Sequence, residues 1–357
     1  MQNYLQKKTF IEIIYRFLKS RKGWEKQMII SRTPFRVSLC GGGSDLPSFY
    51  TKHGGCVLST AIDKYMYISV HPSFDANTTS LKYSKTETVT DINQIEHAYF
   101  KDMLQRFGLN GVEITSTADV PAGTGLGSSS SFTVGVLHSL YAYTGKYVSK
   151  ERLAAEACEV ELVDLKQPIG KQDQYAAAYG GLNFYSFNKD GSVFVEPVLM
   201  EHDKFKQLQK NLLMFYTGDV RSASAILKEQ GQNVTAGDKE KNQLKMCELT
   251  HMLRGELNNG RIDAVGEILD ESWKLKRTLA AGISNPQIDE FYDIAMKNGA
   301  IGGKLLGAGG GGFLLFYVKE ENKGRLRNAL KLPEMPFEFD GQGSTIIYVG
   351  QKTHVCR

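Results

Sequence analysis

The chain has 357 residues, 41% of them hydrophobic and 23% charged, an ordinary composition for a globular protein long enough to bury a core and form about two domains. Its net charge of +4 is local: residues 1–28 carry seven Lys or Arg against two Glu, leaving 36 basic and 37 acidic residues beyond, so a nucleic-acid footprint is not expected. No apolar run approaches the ~20 residues of a membrane span, and five cysteines without a Cys-x-x-Cys pair suit reduced thiols in a cytoplasm.

Within residues 1–28, Ile11, Ile14, Tyr15 and Leu18 fall at helical spacing among the basic residues. This segment is expected to be a helical extension without a part in the chemistry and without stable membrane insertion, and no cleavage site follows a long apolar core. Ile29 to Leu39 reads as a strand entering the glycine cluster Gly41, Gly42 and Gly43, and Cys56 to Val70 reads as another. A helix is predicted over Asp91 to Gly108, then a strand over Gly111 to Ala118.

That strand feeds Pro121-Ala-Gly-Thr-Gly-Leu-Gly-Ser-Ser-Ser-Ser131. Gly123, Gly125 and Gly127 let backbone N–H groups approach a ligand with no Cβ in the way. The helix predicted from Ser128 to Tyr143 brings its unpaired donors and positive dipole end to the same place. A plain turn needs one or two glycines, not three at alternate positions leading into a helix, so the stretch reads as a phosphate-binding loop. A Walker loop is excluded, because the Gly-Lys pairs ending at Lys146, Lys171 and Lys304 are followed by Tyr, Gln and Leu. Gly307, Gly309 and Gly312 match the Rossmann spacing but run into a strand-like segment instead of a helix.

A helix capped by Ser149 is predicted to Leu165, and a short helix precedes the Gly180-Gly181 turn. Glu161 lies four residues after Ala157 and eight after Leu153, on the inward stripe of its helix, where a carboxylate needs a cation or donors; a buried Lys or Arg is the alternative to a metal. Near residue 205 the pattern changes. Strands are predicted over Asn211 to Thr217, Phe313 to Val318 and Ser344 to Val349, the last closing the sheet. Helices are predicted over Lys239 to Asn258, over Ile262 to Ala281 and from Asn285-Pro286 onward. The fold class is α+β in two units, 29–204 with the phosphate loop and 205–357. The histidines show no metal spacing and no nucleophilic triad is visible, which argues against a hydrolase.

Three stretches now come together: Arg32-Thr-Pro-Phe-Arg-Val-Ser-Leu-Cys-Gly-Gly-Gly-Ser-Asp45, residues 121–131, and Lys304-Leu-Leu-Gly-Ala-Gly-Gly-Gly-Gly312. In that order they resemble the three motifs of the GHMP small-molecule kinases. With Ile169-Gly-Lys-Gln-Asp-Gln174 and Thr217-Gly-Asp-Val-Arg-Ser-Ala223, the chain looks most like the heptose 7-phosphate kinase branch. The resemblance implies a left-handed βαβ-type first domain, a ferredoxin-like second domain, and ATP bound between them. It implies Asp173 as the catalytic carboxylate. Arg36 is expected beside it, pairing with the acid and steadying charge on the transferred phosphoryl.

The nucleotide is expected on Pro121, Gly123, Thr124, Gly125, Leu126, Gly127, Ser128, Ser129 and Ser130. Mg²⁺ is expected on Glu161 and a loop hydroxyl, best matched by Ser129 with Ser128 and Ser130 one place away. Gly42, Gly43, Ser44 and Asp45 fall where sugar-kinase relatives bind ring hydroxyls, and Gly309 and Gly310 bring backbone to the substrate or nucleotide. Lys171, Arg221 and Lys304 are the candidate cations for a substrate phosphate. The implied partners are ATP and a small sugar phosphate, with no nucleic acid and with room for a homodimer.

Overall fold

The computed structural model describes residues 27–218, 223–234 and 237–350; the predicted N-terminal helix and Arg221 lie outside them. Strand β1 (Ile29–Cys40) leads through the glycine cluster to helix α1 (Pro47–His53) and then to β2 (Gly55–Pro72), its antiparallel partner. The polar stretch that follows, without a prediction, forms a short hairpin, β3 (Thr79–Lys82) and β4 (Thr86–Val89). Helix α2 (Ala98–Phe107) and β5 (Val112–Ala118) precede the glycine loop and α3 (Ser128–Tyr143). After α4 (Lys150–Cys158) the helix widens into π-helical turns over Glu159–Asp164, followed by α5 (Gln172–Tyr179), β6 (Leu182–Phe187) and β7 (Val193–Pro197).

These strands form one sheet because β2 is long enough to pair twice on its second edge, with β6 along Gly55 to Thr60 and with β5 along Met66 to Pro72. Helix α3 is buried on almost every side, as its apolar composition requires. It packs against β1 at Gly135, where a Cβ would come within 3.0 Å of the Thr33 hydroxyl.

The second unit holds α6 (His202–Asn211), β8 (Leu212–Tyr216), α7 (Ala223–Asn233), α8 (Gly237–Asn258), α9 (Ala264–Lys276), α10 (Pro286–Lys297), β9 (Ala300–Leu305), β10 (Phe313–Val318) and α11 (Glu320–Leu330). Strand β10 is buried at every position because it is the middle of the β8-β10-β9 sheet. The expected helix over Ile262 to Ala281 is shorter, its last residues forming turns after Lys276. Helix α9 joins the two cores: Val265, Ile268 and Leu269 pack into the first and Trp273 into the second. The closing strand β11 (Thr345–Val349) leaves the second unit and pairs with β1, so the chain end returns to the first sheet.

Candidate active site

A cavity of about 840 Å³ runs between the glycine loop of the first unit and Gly307 to Gly311 of the second. The two glycine stretches meet backbone to backbone. A Cβ on Gly125 would lie 2.6 Å from the Leu306 carbonyl oxygen, and one on Gly307 would lie 2.5 Å from Gly125 Cα. Gly125 also has φ +88°, so glycine is required there on both counts.

Strand β1 pins the loop. A register shift between Pro34 and Phe35 kinks the strand, as bulges do where a side chain must be re-aimed, and Arg36 follows at once. Its backbone N–H donates to the Leu126 carbonyl at 3.1 Å and its guanidinium to the Gly125 carbonyl at 2.6 Å. The rest of the guanidinium forks onto Asp173, 2.6 Å to one carboxylate oxygen and 2.8 Å to the other. Arg36 is 6% exposed and Asp173 23%, so the acid keeps a face on the cavity. Gly127 begins α3 directly over this pair: a Cβ there would stand 3.3 Å from Asp173 Oδ2. The helix N-terminus, an acid and a guanidinium thus converge on one point.

Glu161 sits behind the loop, in the π-helical turns and fully buried. Ser130 donates to it at 2.7 Å, Thr133 at 2.9 Å, and the Gln174 side-chain amide donates as well. No Lys or Arg pairs with it among the described residues, and burial pushes its carboxyl up to about 7. Of the three serines Ser128 to Ser130, the one that meets Glu161 is Ser130, whereas Ser128 and Ser129 line the cavity.

Asp45 is 2% exposed and reaches the same cavity. It accepts from the Gly43 N–H at 2.9 Å, the Gln172 N–H at 3.2 Å and the Gln172 side-chain amide at 3.1 Å. Burial, then the nearby Asp173 charge, raises its carboxyl above the usual range. Gly42, Gly43 and Gly309 line the cavity beside Pro121, Gly123, Gly125 and Gly127.

Other expected contacts point elsewhere. The Ser44 hydroxyl donates to the Gly41 and Cys56 carbonyls and accepts the Cys56 N–H. Lys171 is turned away, its ammonium on the Gly191 carbonyl at 2.6 Å and over the Tyr50 ring. The Gly310 N–H is spent on the Ile283 carbonyl at 3.1 Å, leaving Gly307, Gly309 and Gly311 to face the cavity. Thr124 and Leu126 are buried under the loop, with the Thr124 hydroxyl on the Pro121 carbonyl and the Leu126 carbonyl on Arg36.

The cavity also exposes residues the sequence reading passed over. Lys276 lies three positions after Trp273 and seven after Leu269, so the apolar stripe of α9 was the signal that it points inward. Gln172 and Gln230 line the cavity as well, as do Tyr83, His97, Tyr99 and Phe132. Among the described residues no helix is long and apolar enough to cross a membrane.

Comparison with known proteins agrees with this geometry. The family model for the GHMP kinases N terminal domain matches residues 93–181, and that for GHMP kinases C terminal matches 253–333. The D-glycero-alpha-D-manno-heptose 7-phosphate kinase of Campylobacter jejuni is 29% identical over 339 residues, 88% of this chain and 97% of that one. The bifunctional fucokinase/GDP-fucose pyrophosphorylase of Arabidopsis thaliana is 29% identical over 86% of this chain, which spans 31% of that longer protein. In fold, the crystal structure of a D-glycero-D-manno-heptose 1-phosphate kinase from Bacteroides thetaiotaomicron superposes with a TM-score of 0.74 at 24% identity, covering 90% of this chain and 100% of that one. With matched models in both units, the chain belongs to the GHMP kinases and is a sugar kinase, an ATP-using phosphotransferase with an alcohol group as acceptor.

Proposed function

We propose that the chain phosphorylates the anomeric hydroxyl of D-glycero-D-manno-heptose 7-phosphate, giving the 1,7-bisphosphate that feeds nucleotide-activated heptose for cell-surface polysaccharide. The observation that carries this reading is the Arg36–Asp173 fork beneath Gly127, open to a cavity whose other wall holds Asp45.

In this reading the ATP triphosphate lies against the amides of the loop and the first turn of α3, where backbone donors and the helix dipole favour phosphate. Asp45, Gly42 and Gly43 receive the ring hydroxyls, and Asp45 has lone pairs for more than one. Arg36 occupies one lone pair on each Asp173 oxygen, and a remaining one accepts the proton of the sugar O1–H. As that proton moves to Asp173, O1 bonds to the γ-phosphorus, the bond from phosphorus to the β,γ-bridging oxygen breaks, and ADP leaves. Such a positioned base contributes roughly 10²- to 10⁴-fold. The remainder is orientation and charge stabilisation, for which the Arg36 guanidinium and the helix N-terminus are the fixed positive ends.

The residues also fit a magnesium ion. Glu161 is a buried carboxylate with no cation paired to it among the described residues, and the loop hydroxyls are the hard oxygen donors that Mg²⁺ takes with phosphates and water. Glu161 would hold it with the hydroxyl of Ser129 or Ser130. When bound, the ion supplies charge neutralisation at the phosphate oxygens.

A coupled ADP-release assay over heptose 7-phosphate, the same heptose without phosphate, fucose and galactose tests the assignment, with NMR fixing the position of the new phosphate. Turnover highest on the heptose 7-phosphate with the product phosphorylated at C1 is expected. Preference for fucose or galactose would replace the substrate, and binding without ADP release would leave a sugar sensor on the same fold.

A further inference from the structure

Two buried ammonium groups at the cavity have no acid bonded to them among the described residues. Lys276 at the end of α9 is 5% exposed and Lys304 in β9 is 3% exposed, and both line the cavity. Their hydrogen-bond partners among the described residues are carbonyl oxygens only: Gly307 for Lys276 at 2.5 Å, and Ser38 and Leu39 for Lys304 at 2.8 and 3.2 Å. A buried ammonium with carbonyl partners alone is costly unless an anion joins it. Both feel Arg36 as a like charge, Lys276 feels Lys304 as well, and Asp45 is the one acid favouring charge on Lys276. Burial, reinforced by this repulsion, lowers both groups, Lys304 to about 8.

A second observation points to the same wall. Ser38 is 5% exposed, lines the cavity and has no hydrogen-bond partner for its hydroxyl among the described residues, and neither does Gln172 Oε1 nearby. A Cβ on Gly42 would sit 3.7 Å from the Ser38 hydroxyl and 3.6 Å from Gln172 Nε2, so both side chains flank the glycines of the proposed sugar end. Among the described residues, two other cations of the motifs are engaged: Arg36 with Asp173 and the Gly125 carbonyl, Lys171 with Gly191 and Tyr50. In the reading above, the triphosphate has the amides of the loop and the start of α3 for its own donors.

We propose that Lys276 and Lys304, with the Ser38 hydroxyl, bind the phosphate that the sugar substrate already carries, and so set a preference for a phosphorylated sugar over its free counterpart. The inference rests on the sugar-phosphate kinase reading above. It places the acceptor between two fixed points, its anomeric end at Asp173 and its phosphate on the second unit.

The test is the ratio of kcat/KM for heptose 7-phosphate to kcat/KM for the same heptose without phosphate, in wild type and in Lys276→Met, Lys304→Met and Ser38→Ala. Each lysine variant is expected to lower the ratio by about 10²-fold through KM for the phosphorylated sugar, and Ser38→Ala by about tenfold, the scale of lost charged and neutral hydrogen bonds. Lys304→Arg is expected to recover part of the ratio. An unchanged ratio, with kcat falling equally on both sugars, would overturn the proposal and assign the lysines to the transferred phosphoryl. Ser38→Ala removes one hydroxyl only, so its ratio decides the matter if a lysine variant does not fold. Wild type that turns over neither sugar would sink the kinase assignment instead, a result distinct from an unchanged ratio.

Discussion

Asp173 has both carboxylate oxygens on one guanidinium and still faces the cavity, an arrangement that fixes the acid without using up its lone pairs. Asp173→Ala is expected to cut turnover by more than about 10²-fold while ATP binding persists, read as kcat in the coupled assay against nucleotide affinity by calorimetry. Turnover within tenfold of wild type would remove this residue from the mechanism. Glu161 shows the limit of spacing arguments. Its inward direction was legible from Leu153 and Ala157, and the alternative of a buried Lys or Arg partner is not met among the described residues. The choice among three consecutive serines was not legible, since which hydroxyl turns inward depends on how Gly127 starts the helix. Lys276 was missed because a lysine on an apolar stripe reads as snorkelling to solvent, and only the position of Gly307 shows that it ends inside.

At the scale of elements, the two glycine stretches were read as separate motifs, yet they form one contact. Strands and helices followed their periodicity closely, with α3 starting and ending where predicted and Ser149 capping α4 as expected. The π-helical turns and the hairpin of β3 and β4 escaped because neither has its own apolar period. Gly125→Ala must place a Cβ 2.6 Å from the Leu306 carbonyl oxygen at positive φ, and each such strain costs roughly 1–3 kcal/mol. A lower Tm and at least about tenfold weaker ATP binding are expected together. A variant that binds ATP normally would mean the two loops need not touch for the nucleotide to sit.

Across the whole molecule, the returning chain end ties the units together, and two buried titrating groups mark opposite trends with pH. On α3, His138 accepts or donates at 2.9 Å to Ser344, just before β11, and burial lowers it to about 4. Its folded value is depressed, so its contribution is present above about pH 6.5 and is lost as pH falls toward 4. Glu161 is raised from 4.5 to about 7, so its contribution is complete below about pH 4.5 and is lost as pH rises through 7. Each shift corresponds to something on the order of 3 kcal/mol. In denaturant titrations without metal, Glu161→Gln is expected to gain stability relative to wild type between pH 5 and 8. His138→Gln is expected to lose the acid-side slope. Added Mg²⁺ should stabilise wild type at pH 8 and leave Glu161→Gln unmoved; equal stabilisation of both would place the ion elsewhere.

That the second unit returns its last strand to the first sheet was not legible, because a lone apolar segment at 344–349 pairs equally well with either sheet on pattern alone. It pairs with Ile29 to Arg32, the first residues of the strand that carries Arg36. The most direct test is a crystal structure with a non-hydrolysable ATP analogue, Mg²⁺ and heptose 7-phosphate. The expected result is a triphosphate on the amides of Gly123 to Ser130 with its γ-phosphorus facing Asp173 across the sugar O1. A triphosphate bound away from that loop, or an Asp173 carboxylate turned from the γ-phosphorus, would contradict it.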